Sequence, residues 1–387
     1  MDNSIVGDTA DSYVGRIAPS PSGLLHIGHA STFSIARKRF EDAAAVSNRT
    51  QSSSSSSTAT AKSKLILRIE DIDLQRCRDK MYVDSIPVDL QWLGVHCTHG
   101  FGIHADTEAE AVEITPLLTL LLTPSEIKTL NTPAANNGGS ECAPRSDVER
   151  SLRSYKQSDR TLLYMRTWSL LLRRGFVYPC SYSRRQIDKA ISKRSDEEQC
   201  PSSHSSINME PVFPPELRPA YMQRAPSGQN CPTETANKID STNLLHMSSS
   251  TDIRSSDVTW RFRVPDDESI SFIDNCLGAT SFRSGKDFGD FVIWTRDGYP
   301  SYELAVVVDD AIMGITEVVR GADLLLSTAR QLLLYRALGL KPPSFFHCPL
   351  VMDPKTGLKF SKRERAHSLK ELRESGASPD EYYSTWW

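Results

Sequence analysis

The chain has 387 residues, a formal net charge of −3 and a pI near 6.3, so length allows two or three domains and no global positive field announces a nucleic-acid partner. Its eight cysteines lack disulfide-scaffold spacing and no secretory apolar stretch precedes them, which predicts reduced thiols in an intracellular protein. The longest apolar run, residues 117–122, is far too short to span a bilayer, and the first twelve residues carry no Arg or Lys, unlike a transit peptide, so the cytoplasm is expected and an organelle stays open.

Residues 13–18 read as a strand. They run through the turn Pro19-Ser20-Pro21-Ser22-Gly23 into His26-Ile27-Gly28-His29, which opens a helix expected over 28–45. Two imidazoles and a glycine then stand at a helix N-terminus, where free N–H groups and the helix dipole favour phosphate. A second strand is expected over 64–69, with helices over 81–93 and 158–174. Residues 291–294 read as a strand entering Thr295-Arg296-Asp297-Gly298, whose Asp-Gly pair is a hairpin signal. A strand over 315–319 follows, then a helix capped by Ser327, running through Leu338 and stopped by Gly339. The apolar run 345–352 leads to Lys359-Phe360-Ser361-Lys362-Arg363, a lysine-rich loop suited to grip the phosphates from the side opposite the histidines. The alternation of apolar strands with helices predicts an α/β fold, a doubly wound parallel sheet covered on both faces. No Gly-x-Gly-x-x-Gly follows the first strand, so the site is not a dinucleotide fingerprint.

Three low-complexity insertions, near 47–63, 130–154 and 195–257, are too poor in apolar residues to offset ordering entropy and are expected to be unstructured surface. A smaller inserted domain is expected roughly over 176–290. The basic runs Arg37-Lys38-Arg39, Arg173-Arg174, Arg184-Arg185 and Lys362-Arg363-Glu364-Arg365 are, taken singly, better read as solvated surface than as phosphate grips.

The run from Arg16 to Gly23 together with His26 to His29 resembles the first signature of class I glutamyl-tRNA synthetases, and Lys359 to Arg363 resembles their second, the flexible lysine loop. The body between is similar to theirs as well. The matching words are Leu67-Arg68-Ile69-Glu70-Asp71-Ile72-Asp73, Tyr302-Glu303-Leu304-Ala305-Val306-Val307-Val308-Asp309-Asp310 and Ile315-Thr316-Glu317-Val318-Val319-Arg320-Gly321-Ala322-Asp323. The wording is closest to the glutamyl-queuosine tRNA(Asp) synthetases, truncated paralogues that attach glutamate to a modified base. The resemblance implies the class I nucleotide-binding fold over 13–387, with an acceptor-contacting insert. It implies ATP-dependent activation of glutamate and transfer to tRNA, with ATP carried as its Mg2+ complex, no membrane and a monomer.

Residue roles follow from the same resemblance. His26, Gly28 and His29 would bind ATP together with Lys359, Ser361 and Lys362, and His26, His29 and Lys362 would stabilise the charge that develops on the phosphates. Arg16 and Arg320 would take the glutamate carboxylates, Glu70 the ammonium, and Tyr302 would add a hydroxyl. Ser20 would also bind glutamate, and it marks the glutamate branch, since glutamine enzymes read Pro-Glu-Pro-Asn where this chain has Pro19-Ser20-Pro21-Ser22. Many relatives bind structural zinc through a Cys-x-Cys word. Here Tyr182 stands where the second cysteine of Cys180-Ser181-Tyr182 would fall, and Tyr221 is not followed by cysteine at the expected spacing, so no metal is expected, although Cys200, His204 and Cys231 could substitute. After Lys359 too little chain remains for the large anticodon-binding domain of a standard glutamyl-tRNA synthetase, which favours the queuosine-directed branch. An ordinary glutamyl-tRNA synthetase fragment charging the tRNA 3′ end, and a catalytically idle tRNA-binding homologue, are the alternatives.

Overall fold

The structure, a computed structural model, describes residues 12–51, 63–103, 112–130, 146–197, 211–223, 258–352 and 368–383. Lys359, Ser361 and Lys362 lie outside the described residues, as do Cys200, His204, Cys231 and the basic run 362–365.

Three parallel strands open the fold: β1 (Val14–Ile17), β2 (Lys64–Leu67) and β3 (His99–Gly100), in the order β1-β2-β3. Ile17, Leu65 and Leu67 are buried and pack against α1 (Ile27–Gln51) and α2 (Lys80–Trp92). Asp79 caps α2 by accepting the Met81 N–H at 2.9 Å. Gly100 has φ +118, and a Cβ there would stand 2.2 Å from the Leu67 carbonyl oxygen, so only glycine lets the short third strand lie this close to the second.

Four helices follow, α3 (Pro116–Leu121), α4 (Pro124–Leu130), α5 (Asp147–Arg153) and α6 (Thr161–Arg173). Then come β4 (Val177–Cys180), α7 (Arg184–Glu197), β5 (Thr259–Phe262), β6 (Ser269–Asp274), β7 (Gly278–Arg283) and β8 (Phe291–Trp294). The C-terminal half holds α8 (Tyr302–Ile312), β9 (Glu317–Gly321), α9 (Leu325–Leu338), β10 (Ser344–Cys348) and α10 (Leu369–Glu374). β9 and β10 run parallel, β6 joins β10 in parallel, and β7 pairs with β6 as an antiparallel hairpin. The Thr316 N–H donates to the Val14 carbonyl at 2.9 Å, which joins the β9 side to β1. The chain thus winds outward from β1 through β2 to β3, then returns to β9 and β10 on the other side of β1. That reversal is where open α/β sheets bind ligands, beyond the strand C-termini.

The expected insert divides in space. β4, β5 and β8 form their own antiparallel sheet, whereas β6 and β7 extend the sheet of β9 and β10.

Several local expectations are corrected. The stretch 130–154 holds α5, started by Ser146 accepting the Glu149 N–H at 3.2 Å and anchored by buried Val148. The stretch 195–257 contains residues 211–223, whose Phe213 and Met222 are buried beside Tyr178 and Cys180. Ser327 lies within α9, which starts at Leu325, although Gly339 does end it with φ +69. The Thr295–Gly298 turn forms, with Trp294 bridging Pro300, but the chain enters α8 instead of a second strand. Ser301 decides this by accepting the Leu304 N–H at 3.3 Å as the cap of α8. The basic runs are partly structural: Arg39 forms a two-pronged ion pair with buried Glu317 at 2.6 and 2.7 Å, and Arg174 bonds the Ala337 carbonyl at 2.8 Å.

After its first turn, which carries Glu303, α8 is apolar except for two adjacent acids, Asp309 and Asp310, both buried. Asp309 accepts from Arg160 Nε at 2.7 Å, Gln157 Nε2 at 2.8 Å and the Tyr164 hydroxyl at 2.9 Å. It binds α6 and the turn before it to α8. Replacing Asp309 with Ala leaves the fully buried Arg160 guanidinium without its counter-charge, and urea unfolding should show a loss of about 3–5 kcal/mol. A loss below about 1 kcal/mol would show that the three carbonyls around Arg160 Nη1 suffice.

Candidate active site

His26 is placed by the local chain. Its carbonyl accepts the His29 and Ala30 N–H groups, and its Nδ1 accepts the Gly28 N–H at 3.1 Å, so it closes the first turn of α1. The His29 ring lies 3.9 Å from the His26 ring, centroid to centroid, and its Nδ1 accepts the His26 N–H at 3.2 Å. A Cβ on Gly28 would stand 3.0 Å from His26 Cε1, so glycine here leaves room for the imidazole as well as for a ligand. The N-terminus of α1 also touches the far end of the sequence. His26 bridges Ser368, and the Leu369 N–H donates to the Leu25 carbonyl at 2.8 Å. Ser368 and Glu371 form a reciprocal capping box that starts α10 at that point.

Around the same strand ends stand Arg16, Glu70, Tyr302 and Arg320. The charges of Arg320, Glu70 and Arg16 all act on the Tyr302 hydroxyl, which puts the four side chains in one electrostatic neighbourhood. Arg16 is buried at the end of β1, its Nη1 donating to the Val319 carbonyl at 3.2 Å and its Nε 3.4 Å from Asp310 Oδ1. Arg68, fully buried, donates to Asp310 at 2.6 Å and to Glu70 Oε1 at 3.0 Å. Burial raises the Glu70 pKa, and the pull of Arg68 and Arg16 in the other direction does not cancel it. Burial likewise raises the Tyr302 pKa, keeping the hydroxyl protonated. Arg320 Nη1 stands 3.5 Å from that hydroxyl.

The structure therefore brings together His26, Gly28 and His29 at one helix end, and Arg16, Glu70, Tyr302 and Arg320 at the strand ends. Ser20 is exposed in the turn that separates β1 from α1. Arg68, Asp310, His347, Asp274 and Thr328 support the site and carried no assigned role in the sequence. The available signal was an acid pair in an apolar helix and a histidine inside an apolar run, since buried ionisable groups require partners. Cys180 is packed with Tyr178, Phe213 and Met222. Among the described residues no cluster of three metal-ligating side chains occurs.

Comparison with known proteins bears on the family and the fold. The family described as tRNA synthetases class I (E and Q), catalytic domain, matches residues 214–384. A Glutamyl-Q tRNA(Asp) synthetase of Symbiobacterium thermophilum is 32% identical over 95% of this chain and 83% of its own length. The protein of the same name from Nitratidesulfovibrio vulgaris is 30% identical over 94% and 81%. A glutamate–tRNA ligase of a Sulfurihydrogenibium strain is 29% identical over 93% of this chain but only 55% of its own length. The crystal structure of a glutamate tRNA ligase from Elizabethkingia meningosepticum shares the fold, with a TM-score of 0.58 and 22% identity over 97% of this chain, which spans 60% of that one. The chain belongs to the glutamyl-Q tRNA(Asp) synthetase family, within the class I aminoacyl-tRNA synthetases of the glutamate and glutamine type.

Proposed function

We propose that this chain is an ATP-dependent ligase that activates glutamate and transfers it to the queuosine base of tRNA(Asp). The observation that carries this reading is the meeting of two arginines, a tyrosine hydroxyl and a largely buried carboxylate, with the histidine-bearing N-terminus of α1 following β1 in the chain. Such a set matches both carboxylates and the ammonium of an acidic amino acid. The similarity to proteins named for queuosine transfer, whose length this chain largely covers, supports the choice of acceptor.

In the first step a glutamate α-carboxylate oxygen attacks the α-phosphorus of ATP, the bond to the bridging oxygen breaks, and pyrophosphate leaves. Positioning and charge stabilisation supply the rate, so no side chain acts as a nucleophile. Arg16 and Arg320 hold the carboxylates, Glu70 holds the ammonium and Tyr302 adds its hydroxyl. His26 and His29 donate to phosphate oxygens, and Lys359, Ser361 and Lys362 act on the leaving phosphates, with Mg2+ entering as part of the ATP complex. In the second step a hydroxyl of the queuosine cyclopentene diol attacks the acyl carbon and AMP departs. Residues 13–387 act as one catalytic body with an acceptor-contacting insert, as a monomer in the cytoplasm. No helix among the described residues is long and apolar enough to cross a membrane.

Glu70 gives a pH test. Its ionised form binds the ammonium, and burial raises its pKa, so kcat/KM for glutamate in pyrophosphate exchange should fall with decreasing pH from above the ordinary carboxylate range of about 4.3. Glu70→Gln should lower kcat/KM roughly 10–100-fold and remove that acid limb. An acid limb that survives the substitution assigns the titration elsewhere.

The acceptor is tested with labelled glutamate and defined tRNAs. Queuosine-containing tRNA(Asp) should be labelled even after its terminal adenosine is removed, and the unmodified transcript should not. Labelling of unmodified tRNA(Glu) at its 3′ end would instead establish ordinary glutamyl-tRNA synthesis, the reading that the glutamate–tRNA ligase relatives favour.

A further inference from the structure

Behind the glutamate-facing residues lies a buried relay drawn from three elements that are distant in sequence. Asp274, the last residue of β6, accepts from His347 Nδ1 at 2.6 Å and also from the His347 N–H at 3.2 Å. His347, in β10, is fully buried. Burial and the adjacent Arg320 cation push its pKa down to about 4, against the pull of Asp274. The imidazole is therefore neutral with its proton on Nδ1, which leaves Nε2 as an acceptor. Arg320 Nε stands 3.1 Å from that nitrogen. Arg320 Nη2 donates to Thr328 Oγ1, in α9, at 2.6 Å. The Nε and Nη2 edge of the guanidinium is thus occupied by protein, while Nη1 is turned toward Tyr302.

We infer that Asp274, His347 and Thr328 form a positioning unit that fixes the Arg320 guanidinium for the glutamate carboxylate, an inference that rests on the glutamate-activating reading above. An unrestrained arginine carries rotamer entropy that binding would have to remove. Held on two nitrogens, Arg320 has already lost it before the ligand arrives. Asp274 also accepts the Cys276 and Leu277 N–H groups at 3.0 and 2.9 Å, so the same carboxylate that sets the histidine tautomer fixes the turn between β6 and β7. None of the three side chains is assigned a contact with the substrate.

The test uses the full chain in ATP–pyrophosphate exchange, with wild-type exchange on glutamate measured first. Its absence overturns the activation reading, and the positioning role with it. Given exchange, His347→Leu should raise the glutamate KM about tenfold or more while the ATP KM stays within about twofold of wild type. His347→Gln, whose side-chain carbonyl can accept from Arg320 Nε, should recover most of that loss. Thr328→Val, nearly isosteric, should shift the glutamate KM in the same selective way and serves where His347→Leu fails to fold. A folded His347→Leu with an unchanged glutamate KM overturns the proposal. So does an equal rise in both KM values, or a Gln variant no better than Leu, because each marks a general structural role.

Discussion

Asp310 sits where the two halves of the sequence meet. It accepts a 2.6 Å bond from Arg68, which follows β2, and lies 3.4 Å from Arg16 in β1, while its neighbour Asp309 takes Arg160 from the turn before α6. All five charges are buried. An isolated buried charge costs several kcal/mol, so no member can leave without stranding another, and the network behaves as one unit. Hydrophobic packing would permit small slips of strand ends past α8. Paired charges at hydrogen-bond distance do not, and this holds the first two strands in register with the helix that carries Tyr302.

The same cluster sets the electrical state of the site. Burial keeps the Glu70 pKa raised although the Arg68 guanidinium touches it, and Asp310, which shares Arg68, adds a smaller push in the same direction. A carboxylate in that condition gains more from an incoming ammonium than a solvated one would, because less of its charge is already screened. On the other wall, Arg320 is held by neutral groups, the His347 imidazole and the Thr328 hydroxyl, and so retains its full charge for an anionic ligand. A neutral amide in place of a carboxylate would leave such a buried guanidinium uncompensated, which is how a site of this kind separates glutamate from glutamine.

The strands, and the helices with strong caps or stops, were legible in the sequence: residues 13–18, 64–69 and 291–294 each contain an observed strand, and Gly339 ends α9. The motif residues Arg16, Glu70, Tyr302 and Arg320 were legible too, since their local words carry the family resemblance. Tertiary facts were not. Pairing of the β6–β7 hairpin with β10 through β6, instead of with β4, β5 and β8, depends on contacts across dozens of residues, and nothing in the hairpin's own sequence selects a sheet. Ser327 was misplaced as a cap because α9 follows a tight turn at Ala322–Leu324 and begins earlier, with no side-chain cap bond. His347 escaped notice because a histidine between Phe346 and Cys348 looks like core; only the approach of Asp274 and Arg320 gives it work.

The chain on either side of residues 353–367, which lie outside the described residues, meets two different parts of the fold. On one side the chain leaves β10, whose parallel pairing with β9 fixes Cys348 opposite Gly321 at the strand ends. On the other it returns at Ser368, bridged to His26 and followed by the Leu369 bond to Leu25. Arg373 of α10 then approaches Asp89 of α2 at 3.4 Å, which ties this return to the first half of the fold. The described residues before 353 therefore follow the strand ends of β9 and β10, and those from 368 onward lie beside the histidine-bearing N-terminus of α1.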